Sequence, residues 1–416
     1  MKRRLLPILM TLVLVCALPI WAAFVTSGDV TNPLVSTAAA SELTLQGMID
    51  KANAGDTITL NSNTEIAATL QITKNLTIDL NGCTLRMTGN TRVFYVYNNA
   101  TLTIQDSSAA KSGTITGGNA EDGGGVYVEA YATLEMTGGC ITGCRAVDGG
   151  GVYVDYNATL KMTGGCITDC HASYGGGGIY SYENLYMGGT AKIEKCTSKW
   201  GSDDAIWNRE KCNIYADGGT VDGTVNNQGT IRRSEGAAAE TVFNGTVYNR
   251  SAGTIIAGIY NETVENNGTI TGGTFWGTVT NKKSAWGNEA GTIRGGTFAV
   301  TFDRSDGTKT EPTLVEWNGK VSRPTSDPEK SGHTFVGWYL GDALYDFNTP
   351  VIAPLTLTAK WEKVPSSGGN YYYHPTTDTK TDDAKGSPKT ADPGVALYAA
   401  LSLLSLTGLT CTAKKR

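Results

Sequence analysis

The chain is short of charge and of helical pattern. Only 18% of its 416 residues are Asp, Glu, Lys or Arg, against about 25% in average soluble proteins. Leucine-rich runs with a 3.6-residue period are scarce, which argues against a helix bundle and against a doubly wound nucleotide-binding fold. Gly-X-Y periodicity is missing, so collagen is excluded. The three histidines, His171, His333 and His374, are widely separated. No nucleophile elbow, P-loop, HExxH motif or calcium-binding nonapeptide is present, so no catalytic centre is recognisable from motifs. What is plentiful is glycine, with 52 residues, and tyrosine, with 19. Glycine with tyrosine and threonine implies many short strands and tight turns, and the aromatic content argues against wholesale disorder.

The formal charge is −5. Six basic residues lie at the two ends, Lys2, Arg3 and Arg4 and then Lys414, Lys415 and Arg416. Without both ends the balance falls to about −10, which repels nucleic acid. Lys2-Arg3-Arg4 and the apolar run from Leu5 to Pro19 read as a secretory signal peptide, assigned to residues 1–27. Gly394 to Ala413 is uncharged over 20 residues, a length of ~30 Å as a helix and enough to span a hydrocarbon core. The basic tail after it marks the cytoplasmic side.

Immediately before that run stands Ser387-Pro388-Lys389-Thr390-Ala391. Pentapeptide, apolar helix and basic tail in this order resemble the cell-wall sorting signal of Gram-positive surface proteins. Pro388, Lys389 and Thr390 fit the LPxTG pattern, while Ser387 replaces Leu and Ala391 replaces Gly. The resemblance implies two partners, a sortase that cleaves after Thr390 and the peptidoglycan that receives the chain. A plain membrane anchor is the alternative reading of the same run. The expected location is the wall or surface of a Gram-positive bacterium, with membrane tethering before sorting.

The middle of the chain repeats itself. Asp122-GGGVYVEAYATLEMTGGCITGC is followed at an offset of 26 residues by Asp148-GGGVYVDYNATLKMTGGCITDC, and a looser copy runs from Tyr174 to Cys196. Each copy holds three alternating stretches separated by glycine corners. Three short strands bury no face alone, so the copies must stack, each strand pairing with its equivalent one coil away. The implied fold is all-β, a parallel β-helix over 42–298. Shorter repeats of Gly-x-Val-x-Asn (from Gly223, Gly245 and Gly277) and Gly-Thr-Ile (from Gly229, Gly253, Gly268 and Gly291) continue it with narrower coils. Ala54-GDTITL and Asn75-LTID resemble the N-terminal coils of the pectin-lyase-like family. Leu45, Met48, Ile49 and Ala52 have helical spacing, and predict a short helix over the open first coil.

From Val300 the composition changes. Gly332, Phe335, Gly337, Trp338 and Tyr339, with the closing Leu357, Ala359 and Trp361, resemble one Listeria–Bacteroides repeat. The resemblance implies a small β-grasp-like extracellular module over 299–363, its tryptophans in the core. Residues 364–390 read as a flexible stalk ending in the sorting motif, and 391–416 as the membrane helix with its tail.

Alternation puts Tyr127 outward between the inward Val126 and Val128, and Tyr95, Tyr153 and Tyr180 in the same column. Glu129 and Asp155 follow at the next outward position. A row of rings beside carboxylates suits contact with a polysaccharide or a host-surface glycan; tyrosine is also simply a good exposed strand residue. Carboxylate pairs one coil apart, Glu129/Asp155 or Asp122/Asp148, resemble the paired acids of glycoside hydrolysis, but any residue repeated between near-identical coils stacks this way. Cys140, Cys144, Cys166 and Cys170 admit a zinc site, a Cys140–Cys166 disulfide or an inward thiol ladder that Cys196 extends. The expectation is a non-enzymatic, glycan-contacting adhesin with no catalytic residues, metal or cofactor. A β-helical polysaccharide lyase or glycoside hydrolase is the alternative, and a passive spacer the third.

Overall fold

A computed structural model describes residues 44–199, 204–283 and 290–365. The expected signal peptide, His374, most of the stalk, the sorting motif and the apolar C-terminal run lie outside the described residues. Among those described, no helix is long and apolar enough to cross a membrane.

Most solenoid strands have two to five residues and alternate buried and exposed positions, while Asn184–Glu194 and Asn213–Asp222 run on through a corner. Leu134 and Met136 are fully buried while Thr133 and Glu135 point out. Each strand pairs in parallel with its equivalent on the next coil: Thr133–Met136 lies on Thr159–Met162, and Cys140–Thr142 on Cys166–Thr168. Three long parallel ladders result, making the sides of a solenoid, and this stacking is consistent with the expected β-helix. A fourth, three-stranded ladder (145–148, 171–175 and 197–198) widens only the coils of the longest repeats. The glycine corners are obligatory there. A Cβ on Gly150 would lie 2.5 Å from the His171 carbonyl oxygen and 2.6 Å from that of Gly177.

Further along, the coils narrow, and the interior changes character to suit. The second inward position of the Val-Tyr-Val side runs Val128, Val154, Ser181, Asn208, Asn227, Asn249, Asn266 and Asn281. The asparagines form a ladder in which each Nδ2 donates to the next Oδ1 at 2.8, 2.8, 2.7 and 2.8 Å. Their separations along the chain are 19, 22, 17 and 15 residues. On a neighbouring side, Phe243, Tyr260, Phe275 and Phe298 stack inside with centroids 5.0, 4.9 and 5.4 Å apart.

Both ends of this solenoid are covered. Helix α1 (Leu45–Lys51) buries Leu45 and Ile49, with Thr44 as its N-cap. Its Gln46 side chain accepts from the Gln71 N–H at 2.8 Å and donates to the Gln71 carbonyl at 3.3 Å, so one side-chain amide replaces the missing neighbour of an edge strand. At the other end, the strand Thr297–Asp303 stacks in parallel on Thr274–Phe275 and then continues past the solenoid. There it pairs antiparallel with Thr313–Glu316 and in parallel with Leu355–Lys363, which in turn pairs with His333–Leu340. The 298/299 boundary drawn from composition thus falls within one continuous strand. Phe302 and Trp338 form the module's core, their rings edge to face at 4.8 Å. Among the described residues the module has no helix, so it is a small mixed sheet rather than a sheet grasping a helix.

Candidate functional site

The Val-Tyr-Val side carries an unbroken outward column of five aromatic residues: Tyr95, Tyr127, Tyr153, Tyr180 and Trp207, each in register with the next. The inward valines and isoleucines are fully buried and hold the strands rigid. Coil spacing sets the ring spacing, with centroids 5.4, 5.0, 5.7 and 6.1 Å apart. From Tyr127 onward successive planes are nearly parallel, tilted by 13°, 2° and 19°.

This stacking corrects the expected stripe of open rings. Tyr153 is covered on one face by Tyr127 and on the other by Tyr180, and Tyr180 itself is only 2% exposed. Tyr95, Tyr127 and Tyr153 are half-buried. Side chains that repeat at one coil spacing necessarily stack on one another, so the column shows edges and hydroxyls, not faces. Faces that an incoming ring or sugar could approach belong to flanking turn residues, Tyr131 at 65% and Tyr156 at 58% exposed.

Beside the column runs a second row, placed by the hydrogen bond that ends each strand. Glu129 N–H donates to Val96, Asp155 N–H to Val128, Tyr182 N–H to Val154 and Arg209 N–H to Ser181. Each acid therefore meets the tyrosine of the coil before it. Tyr95 Oη donates to Glu129 Oε1 at 3.0 Å, and Tyr127 Oη to Asp155 Oδ2 at 2.9 Å. Burial first, and then these carboxylates, hold both phenols above the ordinary tyrosine range. Arg92 lies over Tyr127 at 4.7 Å, and Arg209 over Tyr182 at 5.2 Å. The row thus passes from carboxylate to phenol to guanidinium along the axis.

Asp122 and Asp148 pair in parallel across adjacent coils on the glycine corner that leads into this side. Burial, and then the charge of Asp122, push the Asp148 carboxyl up to about 6; burial and Glu121 raise Asp122. The neighbouring charge of Asp122 also acts on Tyr127 and Tyr153, so the pair faces the column. The structure does not bring histidine to this face: His171 pairs its Nδ1 with Thr197 Oγ1 at 2.8 Å on the short ladder, and His333 belongs to the C-terminal sheet. Glu135 and Lys161 form the stacked ion pair that their register implies, at 3.6 Å.

The cysteines resolve into two columns. Cys140 and Cys166 point outward and are joined as a disulfide, their Cα atoms 4.5 Å apart. Cys144, Cys170 and Cys196 are free and buried. Two columns on opposite sides of the same chain wall cannot converge, which removes the four-thiolate zinc reading. Sequence reasoning missed Trp207, Arg92 and Arg209. Trp207 sits in Ala205-Ile206-Trp207-Asn208, which no longer resembles the repeats; only its alternation signalled an outward residue.

Comparison with known proteins reaches a small part of the chain. Residues 298–360 match the Listeria–Bacteroides repeat domain. Two proteins of Evansella cellulosilytica, one named "Putative Gly-rich membrane protein" and one "Putative membrane protein", are 35% and 33% identical to this chain over 69 residues, 16% of its length. Those residues span 8% and 10% of the two relatives. No solved structure matches. The sheet that closes the C-terminal end of the solenoid is therefore a Listeria–Bacteroides repeat domain.

Proposed function

We propose that the protein is a cell-surface display protein whose Val-Tyr-Val side contacts a hydroxyl-rich polymer such as a polysaccharide. The observation that carries this reading is the straight row of phenol hydroxyls and carboxylates, Tyr95 with Glu129 and Tyr127 with Asp155, repeated at coil spacing on a rigid sheet. A pre-formed surface loses little entropy on binding, and weak contacts sum along an extended ligand. Because the ring faces are covered, contact is through hydrogen bonds to hydroxyl and carboxylate edges, with Tyr156 supplying an open ring. Surface display is supported by the Listeria–Bacteroides repeat, by relatives named as membrane proteins, and by the sorting-signal order of Ser387 to Arg416. Sortase and peptidoglycan are the partners this order implies.

The test is glycan-array binding by the secreted ectodomain and by its Glu129→Gln/Asp155→Asn variant, which keeps size and removes two charges. We expect a several-fold loss of binding with an unchanged fold. Equal binding by both proteins would move the contact elsewhere, to the C-terminal sheet first. A second reading, glycoside hydrolysis, is favoured by one observation, the close Asp122/Asp148 pair with one carboxyl raised to about 6. Release of reducing ends from a polysaccharide by the ectodomain, lost in Asp148→Asn, would establish it.

A further inference from the structure

The aromatic column is part of a larger connected network. Tyr97 stacks on Tyr95 at 4.9 Å, and from Tyr95 the rings lead through Tyr127 to Tyr153. There the network branches, its two arms bridged by Tyr180 against Tyr182 at 5.5 Å. One arm runs from Tyr153 to Tyr182 at 5.9 Å and on to Tyr156 at 4.5 Å; the other runs through Tyr180 and Trp207 to Tyr174, the last step 6.0 Å. Both arms end at exposed rings, Tyr156 at 58% and Tyr174 at 44%. Rings in van der Waals contact exchange electrons readily, and a phenol is far easier to oxidise when a base is hydrogen-bonded to its hydroxyl. Tyr95 and Tyr127 each have that base, Glu129 and Asp155. Inert aliphatic side chains interrupt no step.

From these contacts we infer a redox activity, independent of any glycan reading: the network conducts one-electron oxidising equivalents along the solenoid and delivers them to Tyr156. The oxidant is of the oxygen-radical or high-valent-metal class. It takes one electron from Tyr127, whose phenolic proton passes to Asp155 Oδ2, leaving a neutral phenoxyl radical and a protonated carboxyl. An electron from Tyr153 then refills Tyr127, and Asp155 returns the proton. Tyr153 and then Tyr182 carry the positive charge only transiently and keep their protons, each refilled by the next ring, until Tyr156, open to water, gives up its electron and releases its proton to solvent. The net change is one electron gained by the oxidant, with one electron and one proton lost by Tyr156. Two such radicals on two chains join through one ring carbon–carbon bond and rearomatise, so the outlet is a covalent cross-linking site between copies or to another phenolic polymer.

The test places the oxidant at the far end of the column. Gln71 is in register with Tyr95 one coil before it, and among the described residues Cys83 is the free thiol that is not buried; Cys16 and Cys411 are changed to Ser as well. A Gln71→Cys/Cys83→Ser chain is labelled with a ruthenium photo-oxidant and flashed with an irreversible electron acceptor in solution. We expect transient phenoxyl absorption and a covalent dimer whose cross-link maps to Tyr156 by peptide mass spectrometry. Tyr127→Phe/Tyr153→Phe keeps the stacking but removes the oxidisable phenols, and should abolish that dimer while Tyr95 and Tyr97 still oxidise. Tyr186→Phe/Tyr215→Phe, on another side of the solenoid, should change nothing. An undiminished Tyr156 dimer in the column variant overturns the proposal, and so does a dimer mapping to Tyr131 or Tyr174 instead of Tyr156 in the unaltered chain. Should the double variant fail to fold, Tyr153→Phe alone makes the same comparison.

Discussion

Asp148 is costly when ionised, because burial and then the Asp122 carboxylate both disfavour its charge and outweigh the Gly175 N–H and Arg209. An unfolded aspartate titrates near ~3.9, and the folded carboxyl near about 6. Between these values the native chain holds more protons than the unfolded one, so stability falls as pH rises from about 4 to about 6 and stays lower above that. Asp148→Asn keeps an acceptor for the Gly175 N–H, which donates to Asp148 Oδ1 at 3.3 Å, and removes the charge. The variant should be more stable than the unaltered chain at pH 7 and lose the decline between pH 4 and 6, read as urea midpoints across that range. A pH profile indistinguishable from the original would remove the acid pair from consideration. Asp79 and Asp106 act with the opposite sign. Burial pushes both upward, but the donors around them, Ser107, Gln105 and Asn81 for one and Gly113, Ser108 and Gly82 for the other, outweigh it and hold them low. Their contribution is present above the unfolded value and is lost as pH falls through the folded one.

At the scale of the strand and the coil, the asparagine ladder is where the narrow half of the solenoid is most vulnerable. Asn249 accepts from Asn227 at 2.8 Å and donates to Asn266 at 2.7 Å, with further bonds to the Gly253 and Thr269 carbonyls. Asn249→Ala leaves the buried Asn266 Oδ1 without its donor, a cost on the order of 1–3 kcal/mol, while Asn227 Nδ2 keeps the Gly229 and Thr254 carbonyls at 3.1 and 3.4 Å. Asn281→Ala, at the exposed last rung, should cost much less, since Asn266 Nδ2 retains the Thr292 carbonyl at 3.3 Å. Equal losses at the two positions in chemical denaturation would mean that the ladder contributes no more than shape. The ladder shows how far the amino-acid pattern reaches. Gly-x-Val-x-Asn was visible as a repeat, and the 26-residue register of Tyr127 on Tyr153 was legible from identity alone. That the asparagines point inward was not, because a polar residue is placed inside only by the partner it meets one coil away. For the same reason alternation told that Tyr127 and Tyr153 face out, yet not that their faces close on each other. Trp207 and the arginines lay outside any repeat, so no periodic signal pointed to them. The cap helix was legible from Leu45 and Ile49, but its edge-pairing amide, Gln46, carries no pattern of its own.

For the whole molecule, attachment is the property that the termini decide. Thr390→Ala removes the residue whose carbonyl a sortase thiol would attack and leaves the apolar run intact. The altered protein should shift from the peptidoglycan fraction to membrane or medium, followed by immunoblotting after wall digestion. Complete detergent extraction of the unaltered protein without wall digestion would instead assign it a simple membrane tether. Were the chain fixed at its C-terminal end, as proposed, the shared strand Thr297–Asp303 would set its response to load. The N-terminal end of that strand is rooted in the solenoid, while the chain continues toward its C-terminus from the far end of the strand Leu355–Lys363. The two run in parallel over Val300 to Asp303 against Leu355 to Thr358. Traction therefore draws opposite ends of parallel neighbours apart, loading their hydrogen bonds together in shear instead of one after another as in an unzipping hairpin. On the proposed anchoring, the terminal sheet would act as a mechanical clasp, resisting traction across several parallel-strand hydrogen bonds at once.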